Sequence, residues 1–191
     1  MTTEKRFRLP ILYRKILLLC IVFGPIVWLM FTEDGQRRTD TMVLWLFGEA
    51  EIKLDFKALT SHYTEREMRQ VYADLDWQCQ DHSDRYGERF CVSRLGIFNG
   101  IPARYVTLYY RAGQLSALKL RYRAINHAQL RSQLRDQLGE PMSQDPASNS
   151  TAEVDRVLQW HTGQGSVLLK SELGEGEEAA LFWVADGLLA R

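Results

Sequence analysis

A chain of 191 residues, 46% of them apolar and 25% charged, has the composition of a folded globular protein rather than a disordered segment. The 24 basic residues match the 24 acidic ones, so net charge supplies no argument for a nucleic-acid partner.

Residues 16–31, ILLLCIVFGPIVWLMF, carry no charge. As a helix they would rise roughly 24 Å, and Tyr13 and Thr32 could lengthen the run toward the ~30 Å of a bilayer core. No small-residue cleavage site follows, which argues against a removable signal peptide. Lys5, Arg6, Arg8, Arg14 and Lys15 precede the run, whereas only Arg37 and Arg38 follow closely. The positive-inside bias then predicts a single-pass anchor in the inner (cytoplasmic) membrane. Residues 1–15 would be cytoplasmic, 32–41 a linker, and 42–191 a periplasmic or otherwise extracytoplasmic domain.

Two of the three cysteines, Cys79 and Cys91, bracket the polar interval QDHSDRYGERF. In an oxidising compartment they are expected to form a disulfide, stabilising by about 2–3 kcal/mol through loop closure. A zinc site built on Cys79, His82 and Cys91 lacks a fourth ligand at standard spacing, so no metal is expected.

Ile52, Leu54 and Phe56 alternate as in a half-buried strand. At Thr64-Glu65-Arg66-Glu67 a capping box predicts a helix start, with Tyr63 and Met68 as a staple; Met68, Val71, Tyr72 and Leu75 follow on one face. The same grammar returns with Asn126 as N-cap, Gln129 three residues on, and Ile125 with Leu130 as staple. Leu130, Leu134 and Leu138 form the apolar stripe, and Gly139 and Pro141 the stop. Strands are predicted over 90–97, 104–110 and 115–123 after the first helix, and over 155–161, 166–170 and 179–184 after the second. The fold class is therefore α+β: an N-terminal transmembrane helix, then a tandem repeat of helix plus three-stranded antiparallel sheet, in units of about 64–123 and 126–185.

Element order and the turn Leu138-Gly139-x-Pro141 give this pattern its likeness. It resembles β-lactamase inhibitory protein, and the single unit is similar to the small lipoprotein of the outer-membrane β-barrel assembly machine. Most members of that fold group bind other proteins, and the resemblance implies the same here. It transfers no functional residue.

The four histidines, His62, His82, His127 and His161, are scattered, and no nucleophile, metal-ligand or phosphate-cradling motif accompanies them. No catalytic residue and no cofactor is expected. A hydrolase would have to rest on His82 or His161. The acidic segment 172–178 lacks calcium-loop spacing and reads as a solvated hairpin tip.

Charge is segregated along the chain. Arg104, Arg111, Lys119, Arg121, Arg123, Arg131 and Arg135 lie in a stretch without acids, while acids dominate from Glu140 onward. If Arg111-Ala112-Gly113 closes a hairpin with Gly113 left-handed, Val106, Leu108 and Tyr110 enter the core. Tyr105 and Tyr109 then share the opposite face with Lys119, Arg121 and Arg123. Tyrosine beside arginine is the composition of protein interfaces. These five residues are the predicted binding surface for another envelope protein, one with an acidic surface. The primary expectation is a membrane-anchored interaction module acting as an assembly or scaffold factor. The alternative is an inhibitor or immunity protein against an enzyme delivered to the envelope. Oligomeric state is not fixed by any of these features.

Overall fold

The computed structural model describes residues 11–31, 50–143 and 157–188, with side chains from residue 13 to 25 of the first helix. The linker at 32–41 and the apolar run at 42–47 fall outside the described residues. Helix α1 is Ile11–Phe31, with Pro25 inside it. Among the described residues no helix is long and apolar enough to cross a membrane. The expected single-pass anchor, and with it the inner-membrane localisation, is corrected accordingly.

Strand β1 is Glu51–Ile52 and helix α2 is Glu65–Val71. The strands β2 (Gln78–Asp81), β3 (Arg89–Arg94), β4 (Ile97–Phe98), β5 (Ile101–Arg111) and β6 (Gln114–Tyr122) follow. A 3-10 turn at Ala124–Asn126 leads into α3 (His127–Leu138). The chain then adds β7 (Met142–Ser143), β8 (Val157–Thr162), β9 (Gly165–Lys170) and β10 (Ala180–Ala185).

These strands make one continuous 10-stranded sheet, ordered β1-β4-β5-β6-β10-β9-β8-β7, with β3 beside β5 and β2 beside β3. Pairing is antiparallel except for β1 with β4. The expected tandem repeat of helix plus three-stranded sheet is corrected by this topology. β6 and β10 pair along Leu120↔Leu181 and Leu118↔Trp183, fusing what were to be separate sheets. The short strands β2, β4 and β7 enlarge them further, and the parallel β1–β4 pair fits neither unit.

One face of the sheet carries the core. Val106, Leu108, Leu118, Leu120, Leu181, Trp183, Val167 and Leu169 are buried in one cluster with Met68 of α2 and Leu130 and Leu134 of α3. Both helices therefore lie on that face. The capping box at α2 is complete: Thr64 accepts from Glu67 N, and Glu67 accepts from Thr64 N at 2.8 Å. That backbone bond, with the Thr64 hydroxyl, holds the Glu67 carboxyl below its ordinary pKa. Val71, expected on the buried stripe, is 63% exposed, because α2 ends there after two turns. Asn126 precedes α3 but makes no side-chain cap. It is buried in the preceding 3-10 turn instead, with Nδ2 lacking a hydrogen-bond partner among the described residues. The Ile52, Leu54, Phe56 alternation is buried as expected, but only Glu51–Ile52 is strand. Beyond it, Asn99 replaces a strand partner: its Oδ1 accepts from Leu54 N at 2.8 Å and its Nδ2 donates to Leu54 O at 2.9 Å.

Cys79 and Cys91 stand opposite one another in the β2–β3 register and form a disulfide. Reducing it, or replacing both residues by serine, is expected to lower stability by about 2–3 kcal/mol, the loop-closure value for a short loop. A fall in denaturation midpoint on adding reductant to the native protein, but not to the double variant, checks this.

Candidate functional site: the open face of the sheet

The face opposite α2 and α3 is set by strand alternation. β5 and β6 pair Tyr105 with Arg121, Thr107 with Lys119, and Tyr109 with Ala117. Across β6, Lys119 faces Phe182 and Arg121 faces Ala180 of β10; across β5, Tyr109 faces Phe90, Thr107 faces Val92 and Tyr105 faces Arg94. Tyr105, Tyr109, Lys119 and Arg121 are thus brought together as expected. Arg123 lies one residue past the end of β6, exposed at the start of the 3-10 turn.

The hairpin between β5 and β6 reaches this face assignment by its own route. Only Ala112 and Gly113 form the loop, both with positive φ (50° and 75°), and Arg111 pairs with Gln114. A register shift follows: Tyr110 pairs with Leu115 but Tyr109 with Ala117, leaving Ser116 as the extra residue of a bulge. The bulge restores the alternation a longer loop would have produced, so Val106, Leu108 and Tyr110 are buried. A second shift makes Arg104 the extra residue on β5, and it turns outward.

The aromatic part of the face has a member that its sequence context did not reveal. Tyr86, in the loop between β2 and β3, stacks on Phe182 (centroids 5.7 Å, planes 20° apart) and tilts against Tyr109 at 5.0 Å. Phe90 touches Tyr109 at 6.3 Å. The loop is fastened by backbone. Asp84 Oδ1 accepts from Tyr86 N and Gly87 N at 2.7 and 3.0 Å, the Ser116 hydroxyl donates to Tyr86 O at 2.6 Å, and Glu88 N donates to Tyr110 O at 3.0 Å. Arg85 lies over the Tyr86 ring at 4.7 Å. Burial, then the nearby Asp84 charge, pushes the Tyr109 phenol above its ordinary pKa.

The cations are less free than their sequence segregation suggests. Glu178, just before β10, places Oε1 at 2.7 Å from Lys119 Nζ and 2.9 Å from Arg121 Nε. The two contacts differ in kind. Lys119 makes a charge-assisted hydrogen bond, whereas the Arg121 Nε–H has no directed acceptor among the described residues, so that approach is electrostatic. The Lys119 bond holds the Glu178 carboxyl below its ordinary pKa, with Arg121 adding to the effect. Lys119 also sits over the Phe182 ring at 5.5 Å, and Arg121 over Tyr105 at 5.6 Å. The basic middle and acidic end of the sequence thus meet where β6 and β10 pair.

The residues named for chemistry are dispersed. His82 follows β2 and His161 lies in β8, six strands further along the sheet order. His161 Nδ1 lies 2.9 Å from Ser166 Oγ, which also accepts from Gln159 Nε2 at 3.0 Å. Ser166 is only 1% exposed, so this serine is a satisfied cross-strand partner. Glu65, Cys79 and Cys91 place ligand-type atoms close together, but the two sulfurs are joined to each other and the Glu65 carboxylate meets Arg89 at 2.7 Å.

His127 closes a structural network beneath the sheet. Its Nδ1 lies 2.7 Å from the Tyr122 hydroxyl and its Nε2 3.3 Å from Ser171 O, with Arg131 donating to the same carbonyl at 3.0 Å. Burial, aided by the Arg131 charge, lowers its pKa from the ordinary value of about 6.5. A depressed folded-state pKa means the neutral ring's contribution is complete above about pH 6.5 and is lost as pH falls through the folded value. Urea midpoints should therefore drop between pH 7.5 and 5.5, and by less in His127→Asn.

No protein family, curated protein or solved structure matches this chain.

Proposed function

We propose that this protein is an interaction module that binds a protein partner on the open face of its sheet. The observation that carries the reading is the Tyr86–Phe182–Tyr109 stack beside Lys119 and Arg121, half-exposed on the face opposite α2 and α3. Aromatic rings supply apolar contact area at low entropic cost, and arginine beside them supplies directed polar contact; both residue types concentrate at binding hot spots. The role is an assembly or scaffold factor, in which binding itself is the output. The Cys79–Cys91 disulfide favours action in a compartment where thiols oxidise.

Chemical crosslinking of the native protein in its own cells, followed by mass spectrometry, tests the reading. A discrete partner is expected, its recovery lost on Lys119→Glu with Arg121→Glu and retained on Arg69→Glu, which changes charge on α2, across the sheet. Unchanged recovery in the first variant, or equal loss in both, would place the interface elsewhere.

A further inference from the structure

Lys119 and Arg121 are two residues apart on β6 and share a single oxygen, Glu178 Oε1. Two cations on one carboxylate leave an excess of positive charge, to which the exposed Arg94 adds, across Tyr105 from Arg121. The grip on Glu178 is incomplete. Arg121 engages it without a directed Nε–H bond, and the Lys119, Arg121 and Glu178 side chains are 24%, 41% and 44% exposed. Ion pairs with this much solvent contact hold weakly and exchange readily. Both cations are nevertheless held in place from the side by rings, Phe182 under Lys119 and Tyr105 under Arg121, so they stay on the face when the carboxylate leaves. The neighbouring Glu177 is committed elsewhere, to Lys170 Nζ at 2.8 Å and Gly174 N through its second oxygen at 3.0 Å, and cannot substitute.

We propose that Lys119 and Arg121 form a carboxylate-binding site for an acidic segment of the partner polypeptide, and that Glu178 is its built-in occupant, displaced when an Asp or Glu of the partner enters. The inference rests on the reading of the open face as the interaction surface and adds the partner's chemistry and an internal competitor. Charge complementarity selects the acidic segment, and the flanking rings of Tyr105 and Phe182 offer it apolar contact of the kind an extended peptide can cover. Glu178 then works as a specificity filter: a neutral segment lacks the charge to displace it.

The test uses the full isotope-labelled chain titrated with an acetylated, amidated octaglutamate peptide, followed by amide chemical shifts, with octaglutamine as the uncharged control. Shifts are expected on β5, β6 and β10 with octaglutamate only. Glu178→Gln should tighten binding by about two- to fivefold, the range for a solvent-exposed ion pair. Glu175→Gln makes the same change in net charge at the exposed loop tip and should leave affinity unaltered. Lys119→Gln with Arg121→Gln should abolish binding while amide dispersion stays native. Equal tightening by Glu178→Gln and Glu175→Gln would overturn the proposal, because the peptide would then sense net charge alone. Shifts on the open face with no gain from Glu178→Gln would overturn the competitor and leave the open-face reading standing. Octaglutamate binding on another face in Glu178→Gln would overturn both. Absence of binding in every variant would overturn the carboxylate site, while the crosslinking result would judge the face independently.

Discussion

Trp183→Ala is expected to destabilise the fold by about 3–5 kcal/mol, the usual cost of removing a buried tryptophan from a packed core. Trp183 is fully buried in β10, between Leu118 of β6 and Val167 of β9. Its indole N–H donates to Thr162 Oγ1 at 3.2 Å, which fixes the ring across the β8–β9 hairpin. The backbone has been fitted to it: a Cβ on Gly165 would meet the indole carbons at 2.7 and 2.8 Å. Truncation thus leaves a cavity at the seam where β10 joins the two ends of the sheet and removes the indole bond to Thr162, whose hydroxyl keeps its own bond to Gly165 O at 2.9 Å. Against a typical domain stability of roughly 5–15 kcal/mol, this is a large fraction. Guanidinium denaturation of the purified protein measures it. A loss under about 1 kcal/mol would mean that the seam is not a packed core.

Gly87→Ala is the second large effect, and it acts on the open face. An added Cβ would fall within clashing distance of the Tyr110 carbonyl oxygen and 2.9 Å from its carbon, both backbone atoms of β5 that cannot swing aside. The loop must lift, breaking the Glu88 N to Tyr110 O bond and the Ser116 bond to Tyr86 O. Overpacking of this kind costs about 1–3 kcal/mol. The distinctive consequence is local. Tyr86 leaves Phe182 and Tyr109, so ring-current shifts on Phe182 should change while the core signals of Leu120 and Leu181 keep native positions. Tyr86→Ala should reproduce the Phe182 change at smaller cost in stability. Unchanged Phe182 shifts in both variants would show that the stack does not form.

How far this arrangement could be read from the chain depended on the length of the signals. β5 and β6 are long, alternate cleanly and are joined by a glycine turn, so the face shared by Tyr105, Tyr109, Lys119 and Arg121 was legible down to the individual side chain. The capping box at Thr64 and Glu67 is a local motif and was equally clear. β2, β4 and β7 are only two to four residues each. Nothing in Gln78-Cys79-Gln80-Asp81 alternates between apolar and polar, and its strand character comes from pairing with β3. The union of the sheet through β6 and β10 was hidden for a related reason. Leu118, Leu120, Leu181 and Trp183 would be apolar whether they faced a helix in separate sheets or met in one. Tyr86 was missed because its neighbours are polar and its role depends on a contact with Phe182 far along the chain. The one cue was Gly87 beside it, a small residue where the backbone must pass close to β5. Apolarity also misled at α1, where a charge-free run carried the anchor expectation that the described helix does not meet.

The central claim is that the open face, and not the helical face, receives the partner. Site-specific photo-crosslinking measures this most directly. p-Benzoylphenylalanine would replace Tyr105 on the open face in one variant and Val71, 63% exposed on α2, in another. On irradiation in cells, a discrete adduct is predicted at position 105, absent at position 71, and lost from 105 when Lys119 and Arg121 are both changed to Glu. An adduct at position 71 alone, or one at 105 indifferent to the charge reversal, would contradict the account.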